Sequence, residues 1–335
     1  MECDTCSSEQ LIDHLRNDKN RFKFCTAFSQ IQIIETRKKV KKMVTQVDTE
    51  EIMKIGLELA GWKKLPADSA IHVRGRNIRK VMIAIDVGTA ELMLARSLGC
   101  DAVIAHHPIG VAAVNFYKVF DRHLDYMLEH GVPRRIARQA VAKLKERVET
   151  RTHADIYDDV VGAARLLKMP LVNIHQPCDE YMRQVILAAI KEGKTRYVSD
   201  IIESIRRIPE FARAATKIQV RYGSGKNRAG RWALVIAAGT NGGYPIAKAY
   251  FDHGMSTVIY LHVDYGDLMK LRDDKLQGNL VVLGHLAGDS VGLNGLARRL
   301  EKIGVETVKV GILSGGKATP HARVGSNVDR HNTSV

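Results

Sequence analysis

The stretch Cys100-Asp101-Ala102-Val103-Ile104-Ala105-His106-His107-Pro108-Ile109 carries a short apolar strand that runs directly into two adjacent histidines and a proline. Proline donates no backbone hydrogen bond and keeps the residue before it extended, so we expect the strand to end here. Neighbouring strand residues point to opposite faces, so the two imidazoles can share a site only where the strand ends. Because neutral imidazole is the commonest protein ligand for transition metals, the pattern predicts a metal site at this strand end.

The residues around this stretch predict a strand-helix-strand unit from Val81 to Ala105. Its first strand is apolar up to its last residue, Asp86, as expected for a strand buried on both faces. The helix that follows has apolar residues at helical spacing and stops at Gly99. Parallel strands in such a unit end at the same sheet edge, so Asp86 is predicted beside His106 and His107, as a partner of the ligands.

A second candidate stretch, Arg151-Thr152-His153-Ala154-Asp155, follows a strongly basic helix predicted over 133–149, and Asp158 and Asp159 come shortly after it. Carboxylate oxygen suits hard and borderline divalent ions, so this stretch is the predicted source of a third ligand. Alternatively, its aspartates stabilise the first turn of a helix predicted from Val160 to Leu167. Both interpretations can hold together.

A further strand, 279–284, ends in His285, and Asp289 follows at the start of a predicted helix. Residues four apart on a helix lie about one turn apart on the same face, so both side chains can reach one ion. Three other residues near the strand predicted at 257–261 are expected only at the edge of the site: His253, His262 and Asp264.

A glycine-rich turn, Gly239-Thr240-Asn241-Gly242-Gly243, separates a strand predicted at 232–237 from a helix predicted at 246–251. Open backbone amides in such a turn can bind an anion, which makes these five residues candidates for substrate binding. The turn lacks the Gly-Lys-Ser/Thr ending of a P-loop and a complete G-x-G-x-x-G motif, so an ordinary tight turn explains it equally well.

The composition is that of a globular protein with a strong positive charge. The sequence holds 51 Lys and Arg against 37 Asp and Glu, a formal net charge of +14. This excess is compatible with phosphate-bearing or nucleic-acid partners, which the basic segments 134–147 and 206–231 could attract. The five cysteines are scattered, as in proteins of reducing compartments, and the C-x-x-C of Cys3 and Cys6 lacks the second pair that a zinc site needs.

No apolar run approaches the roughly 18 residues that a membrane-crossing helix needs. Residues 1–10 carry acidic side chains without the apolar segment of a secretory signal. We therefore predict a cytoplasmic protein with no membrane partner.

Taken together, these motifs resemble those of the NIF-three family of dinuclear metal-centre proteins, whose members are often described as GTP cyclohydrolase I type 2 homologues. The resemblance covers roughly residues 48–311 and rests on four elements in this order: His106-His107-Pro108, Thr152-x-x-Asp155, the glycine turn at 239–243, and Gly284-His285-x-x-x-Asp289.

The resemblance implies two divalent metal ions per chain, zinc, iron or manganese, bound by His106, His107, Asp155, His285 and Asp289. The sequence departs from the family pattern at two positions. Arg151 stands where the family's His-Thr-x-x-Asp motif has its histidine, and Asp289 stands where the family usually has glutamate. His153 and Asp158 are therefore alternative ligands, or partners of ligands, in the central segment.

The resemblance also implies an α/β fold in which a second α/β domain, 170–279, is inserted into a metal-binding core domain formed by residues 47–169 and 280–313. A partly mobile extension, 1–46, and a disordered tail, 314–335, flank them. A homohexameric ring is the implied assembly.

The predicted function is hydrolysis of a phosphate-bearing or nucleotide-like substrate by a metal-bound water. Two cations about 3.5 to 4 Å apart can activate water and stabilise both the attacking and the leaving oxygen. No Ser-His-Asp or Cys-His arrangement offers a better nucleophile. The cyclohydrolase activity itself would be an inference from family analogy alone. The alternative is a non-catalytic, metal-stabilised ring scaffold that binds nucleic acid or protein partners.

Overall fold

A computed structural model of the chain describes residues 47–237 and 242–316. The predicted N-terminal extension with Cys3 and Cys6, most of the glycine turn (238–241) and the end of the predicted tail (317–335) lie outside the described residues. From residue 47 onward the described residues belong to a single compact unit. None of the helices in the described ranges combines the length and apolarity needed to cross a bilayer.

Within the described ranges the strands, in chain order, are β1 (Ala70–Val73), β2 (Lys80–Ala84), β3 (Ala102–Ala105), β4 (Leu171–Asn173), β5 (Gln219–Tyr222), β6 (Trp232–Leu234), β7 (Thr257–Tyr260), β8 (Asn279–Val282) and β9 (Glu306–Val310).

The helices in the same ranges are α1 (Thr49–Ala60), α2 (Thr89–Ser97), α3 (Gly110–Val114), α4 (Arg122–Glu129), α5 (Arg134–His153), α6 (Asp159–Leu167), α7 (Gln176–Glu192), α8 (Val198–Arg206), α9 (Pro209–Arg213), α10 (Gly243–Asp252), α11 (Tyr265–Asp273) and α12 (His285–Lys302). A 3₁₀ helix, Phe116–Asp121, precedes α4.

The strands form two mixed sheets, in the orders β1-β4-β3-β2-β9 and β5-β8-β7-β6. In each sheet one edge strand, β1 or β5, runs antiparallel to its neighbour and the other pairs are parallel. The predicted strand-helix-strand unit is confirmed, because β2 and β3 pair in parallel with Val81 opposite Ala102 and α2 connects them. The predicted α/β fold class is therefore correct.

Local sequence signals explain the ends of several elements. The Asp48 side chain accepts a hydrogen bond from the Glu51 backbone N–H at 2.8 Å, which caps the first turn of α1. Gly61 ends the same helix in the left-handed region, at φ 75°. The apolar residues of β2 and β3 are almost completely buried, as their continuous hydrophobic runs predict.

Helices α7 and α12 pack against each other, and each contributes to the hydrophobic cores of both sheets. Their close approach depends on Gly292, where a Cβ atom would lie only 2.6 Å from the Cys178 carbonyl oxygen. Since Asp179 and Asp289 lie on these two helices, this contact sets the distance between two carboxylates that are remote in the sequence.

Strand β4 follows the predicted core segment 47–169 and still pairs with β3 in the first sheet. Conversely, β8 pairs with β7 in the second sheet, although residues 280–282 fall in the predicted core domain. The chain therefore passes from the first sheet to the second, and back, somewhat beyond residues 169 and 279. The division into a core and an inserted domain stays a prediction.

Candidate metal centre

The paired histidines leave the first sheet at the carboxyl end of β3. The His106 N–H donates to the Ala84 carbonyl at 2.9 Å, and the His107 N–H donates to the Ile85 carbonyl at 3.0 Å. The buried Asn173 side chain donates to the His106 carbonyl at 2.9 Å. These bonds hold the turn in place, so the backbone that carries both imidazoles is fixed.

Both imidazoles are oriented by a hydrogen bond at Nδ1. The His106 Nδ1 lies 3.2 Å from the Ile174 carbonyl oxygen, and the His107 Nδ1 lies 2.6 Å from Asp86 Oδ1. A carbonyl or carboxylate oxygen accepts here, so the proton sits on Nδ1 and the Nε2 lone pair is left for another partner. Asp86 thus occupies the position beside a predicted ligand that the strand topology indicated.

The first group of donors joins His107, His285 and Asp289. The two Nε2 atoms lie 3.3 Å apart, and Asp289 Oδ2 lies 3.3 Å from each of them. When all three atoms are deprotonated, as metal ligands are, their lone pairs repel one another unless a cation lies between them. Ligands placed tetrahedrally at about 2.0–2.1 Å from a zinc ion are about 3.3 Å apart, so the spacing fits a metal site.

The second group joins His106, Asp179 and Asp289, all almost completely buried. His106 Nε2 lies 3.2 Å from Asp179 Oδ1 and 3.7 Å from Asp289 Oδ1. These atoms and Asp179 Oδ2 are buried and have no hydrogen-bond partner within the described residues. Buried polar atoms are nearly always satisfied, so this arrangement fits a cation that would bind them. Asp289 contributes one oxygen to each group.

A further imidazole, that of His175, reaches the cluster from the start of α7. Its Nδ1 lies 2.7 Å from Asp68 Oδ2 and its Nε2 lies 3.4 Å from Asp179 Oδ2. Together with His106 and His107 it forms a third group whose ligand atoms all lie within 4.8 Å of one another. Its Nε2 therefore also faces the cluster.

In the second group two buried carboxylates face one imidazole. Burial lowers the pKa of His106, but the carboxylates of Asp179 and Asp289 outweigh burial and hold it well above its usual value. Burial raises the pKa of Asp289, but the charge on His106 and the close approach of both paired histidines outweigh burial and hold it well below its usual range. Burial is the main reason that the pKa of His175 is lowered to about 3, and this keeps the imidazole neutral.

A cavity of about 500 Å³ opens beside the cluster. The imidazoles of His107, His175 and His285 line it. Apolar side chains, including Phe116 and Phe120, also line it, and the Phe116 ring centroid lies 5.3 Å from that of His175. Its size is that of a small-molecule site, and a ligand in it would contact the imidazole edges directly.

The structure brings four of the five predicted ligands together: His106, His107, His285 and Asp289. The fifth, Asp155, lines the cavity just after the end of α5 but belongs to none of the three groups. Its role as a ligand stays a prediction.

The alternatives in the central segment take other positions. His153 is the exposed last residue of α5, and Asp158 precedes α6 and pairs with Arg165 at 3.0 Å. Asp159 lies in the first turn of α6, as the alternative interpretation of this stretch predicts. Asp159 therefore fits the helix-start interpretation, while the ligand roles of His153 and Asp158 stay predictions.

Of the edge candidates, His262 and Asp264 line the cavity, and the His262 ring centroid lies 4.6 Å from that of His285. His253 instead donates from Nδ1 to the Ala249 carbonyl, 2.8 Å away, at the end of α10. Because that carbonyl accepts, the His253 Nδ1 is the donor. In the glycine turn, only Gly242 and Gly243 are described, where α10 begins.

His175 and Asp179 were not predicted from the sequence, although a signal for both was present. Residues 171–174, Leu-Val-Asn-Ile, are mostly apolar and are followed by a histidine, and an aspartate comes four residues later. The spacing in His175-Gln176-Pro177-Cys178-Asp179 is also that of the His-Thr-x-x-Asp motif, with glutamine in place of threonine.

Two groups of imidazole and carboxylate donors meet near the carboxyl ends of parallel strands and share one aspartate. This arrangement defines an α/β protein with a candidate metal centre. The crystal structure of a NIF3 superfamily protein from Sphaerobacter thermophilus is 45% identical in sequence and superposes with a TM-score of 0.77; the match covers 80% of this chain and 99% of that one. The chain therefore belongs to the NIF3 superfamily.

Two other solved structures match with less similarity. Reduced HcgD from Methanocaldococcus jannaschii is 12% identical, with 79% of this chain and 98% of that chain covered and a TM-score of 0.48. A Bacillus cereus protein related to NIF3 is 10% identical, with 82% and 99% covered and a TM-score of 0.45. No protein-family model and no curated protein sequence matches the chain.

The Asp68→Asn variant is expected to bind metal on the order of 10 to 100 times more weakly than the parent protein, as seen when hydrogen-bond partners of ligands are removed. A carboxylate can only accept from His175 Nδ1, whereas an amide can also donate to it and so place the proton on Nε2. Nitrogen NMR shifts of His175 would report the protonated nitrogen, and a competition titration with a chelator would report affinity.

Asp48→Asn is the matched control, because asparagine caps a helix as well as aspartate and Asp48 is remote from the three groups. Unchanged affinity and an unchanged His175 tautomer in Asp68→Asn would show that the carboxylate does not orient this imidazole.

Proposed function

We propose that this protein is a metal-dependent hydrolase that binds two divalent ions and acts on a phosphate-bearing substrate. One ion would be held by His107, His285 and Asp289, and the other by His106, Asp179 and Asp289. The His175 Nε2 would complete the ligands of the second ion, since it lies 3.4 Å from Asp179 Oδ2. The observation that carries the proposal is the sharing of Asp289: its two oxygens face different groups, while neighbouring buried atoms of the second group lack partners.

This ligand set replaces the predicted Asp155 with Asp179. Zinc, iron and manganese all accept mixed imidazole and carboxylate ligands, so the set does not distinguish among them. When bound, two such ions would lower the pKa of a water molecule and stabilise the charge of the attacking and leaving oxygens.

The protein's own residues would bind and orient the substrate. Arg151 lines the cavity, and its guanidinium makes no ion pair within the described residues, so it is available to a phosphate. Arg147, in the same wall, is already paired with the buried Asp267 at 3.1 Å. The apolar wall around Phe116 and Phe120 would exclude water from the bound substrate.

The test is phosphate release by protein loaded with zinc, iron or manganese, using p-nitrophenyl phosphate, its diester and nucleoside triphosphates as substrates. We expect release that His107→Ala abolishes and His253→Ala leaves intact, because His253 belongs to none of the donor groups. Arg151→Gln should raise KM about tenfold, the worth of one charge-assisted hydrogen bond, with little change in kcat. Arg134→Gln, an exposed arginine on the same helix, is its control.

No release from any of these substrates, together with salt-sensitive nucleic-acid binding that survives His107→Ala, would overturn the proposal and favour the scaffold function. Assembly as a homohexameric ring remains a prediction, which the mass of the protein in solution would check.

A further inference from the structure

A second cavity, of about 750 Å³, lies at the edge of the second sheet where β7 and β8 begin. Three cationic side chains line it, those of Arg228, Arg272 and Lys275. No carboxylate is among the described residues that line it. The metal centre lies at the opposite sheet edge, since His285 follows the end of β8, so the two sites do not overlap.

The three cations have no acidic partner among the described residues. Within the described part of the chain, none of them forms an ion pair, whereas Lys145, Arg147 and other basic residues do. The contacts of the lining arginines are weak: Arg272 Nη2 lies 3.4 Å from the Arg221 carbonyl, and the Arg228 guanidinium lies 5.9 Å from the centre of the Tyr197 ring. Like charges around one cavity repel each other, and an anion would relieve that repulsion.

A buried side chain holds the wall of this cavity in place. Asn279 Oδ1 accepts hydrogen bonds from Asn227 Nδ2 at 2.8 Å and from the Ser224 N–H at 3.2 Å. Its Nδ2 donates to the Ser256 carbonyl at 3.0 Å. The loop that leads to Arg228 is thereby tied to the first residues of β7 and β8, and its shape is set before a ligand binds.

The packing behind the wall is equally tight. Gly278 has a φ of 157°, and a Cβ atom there would lie 2.4 Å from the Phe251 ring. A side chain at this position would displace the ring, so the cavity depends on glycine at its floor. Tyr222 and Phe251 give the lining an aromatic component beside the three cations.

We propose that this cavity is a second ligand site, distinct from the metal centre, which binds a phosphate-bearing small molecule of nucleotide size. Guanidinium groups match phosphate oxygens in geometry and charge, and the cavity volume is in the range of small-molecule sites. Arg228 belongs to the basic segment 206–231, which the sequence analysis identified as able to attract phosphate-bearing partners. In the structure this arginine lines the cavity at the sheet edge opposite the metal centre.

The test is calorimetric titration of the full-length, chelator-treated protein with adenosine monophosphate, adenosine diphosphate and inorganic phosphate, so that binding at the metal centre does not contribute. We expect the nucleotides to bind, and the double substitution Arg272→Gln with Lys275→Gln to raise their Kd by about tenfold or more, as expected for losing charged hydrogen-bond donors. Metal content and thermal unfolding should stay at parental values.

The matched control is the double substitution Arg134→Gln with Arg138→Gln, which removes the same charge from exposed positions on α5. Equal weakening by both double variants would overturn the proposal, because binding would then follow net charge alone. Two other outcomes would also overturn it: no binding of any probe at millimolar concentration, or binding only to metal-loaded protein that His107→Ala removes. Since the titration uses metal-free protein, its result is independent of the hydrolase proposal.

Discussion

Asp289→Ala is expected to lose both of the metal ions proposed above. Asp289 is the residue shared by both donor groups, with Oδ2 3.3 Å from two imidazole nitrogens and Oδ1 3.7 Å from a third. Its removal takes one ligand from each ion and also leaves the raised-pKa imidazole of His106 with a single carboxylate, Asp179. Elemental analysis should fall from the about two ions that a dinuclear site requires to close to none.

The metal-dependent increase in unfolding temperature should disappear in the same variant, because a ligand stabilises only the state that binds it. Glu210→Gln is the control: Glu210 is also a buried carboxylate packed against α12, where it accepts a hydrogen bond from Asn294 Nδ2 at 2.9 Å. Retention of both ions by Asp289→Ala would show that the shared carboxylate does not hold them.

Asp179→Asn is expected to lose one of the two ions, whereas Asp155→Asn should keep both. Asp179 is buried 3.2 Å from His106 Nε2, while Asp155 is exposed and lies outside the donor groups. The loss of affinity at the second ion should exceed the roughly 10- to 100-fold that a change in a ligand's hydrogen-bond partner produces. The first group lacks Asp179 and should retain its ion.

Stepwise titration with cobalt, followed by its visible absorption, would count the ions that remain in each of these two variants. Loss of an ion from Asp155→Asn with full retention by Asp179→Asn would restore the ligand set predicted from the sequence. Loss from both would mean that the cavity wall also contributes a ligand.

The difference between Asp155 and Asp179 shows where sequence reasoning succeeded and where it failed. His106 and His285 each follow an apolar run long enough to be recognised as a strand. The strand before His175 has only three residues, Leu171–Asn173, and its pattern does not distinguish a strand from a loop. The central ligand was therefore predicted near Thr152, a residue that lies in a helix.

The edge strand β5 was missed for a related reason. β5 alternates between exposed and half-buried residues and is rich in polar side chains, so its sequence looks like part of a basic loop. It is a strand because it pairs with β8, and that pairing is set by residues about 60 positions away. Edge strands of this kind have little hydrophobic signal of their own.

The sequence alone determined the α/β class, the end of β3 at the paired histidines and the one-turn spacing of His285 and Asp289, because all three follow from local backbone geometry and from hydrophobic periodicity. Only the tertiary structure decided that α7 brings Asp179 to Asp289 and that Asp155 stays in the cavity wall. Those distances depend on how closely α7 and α12 pack at Gly292, a contact between segments more than 100 residues apart that no local pattern encodes.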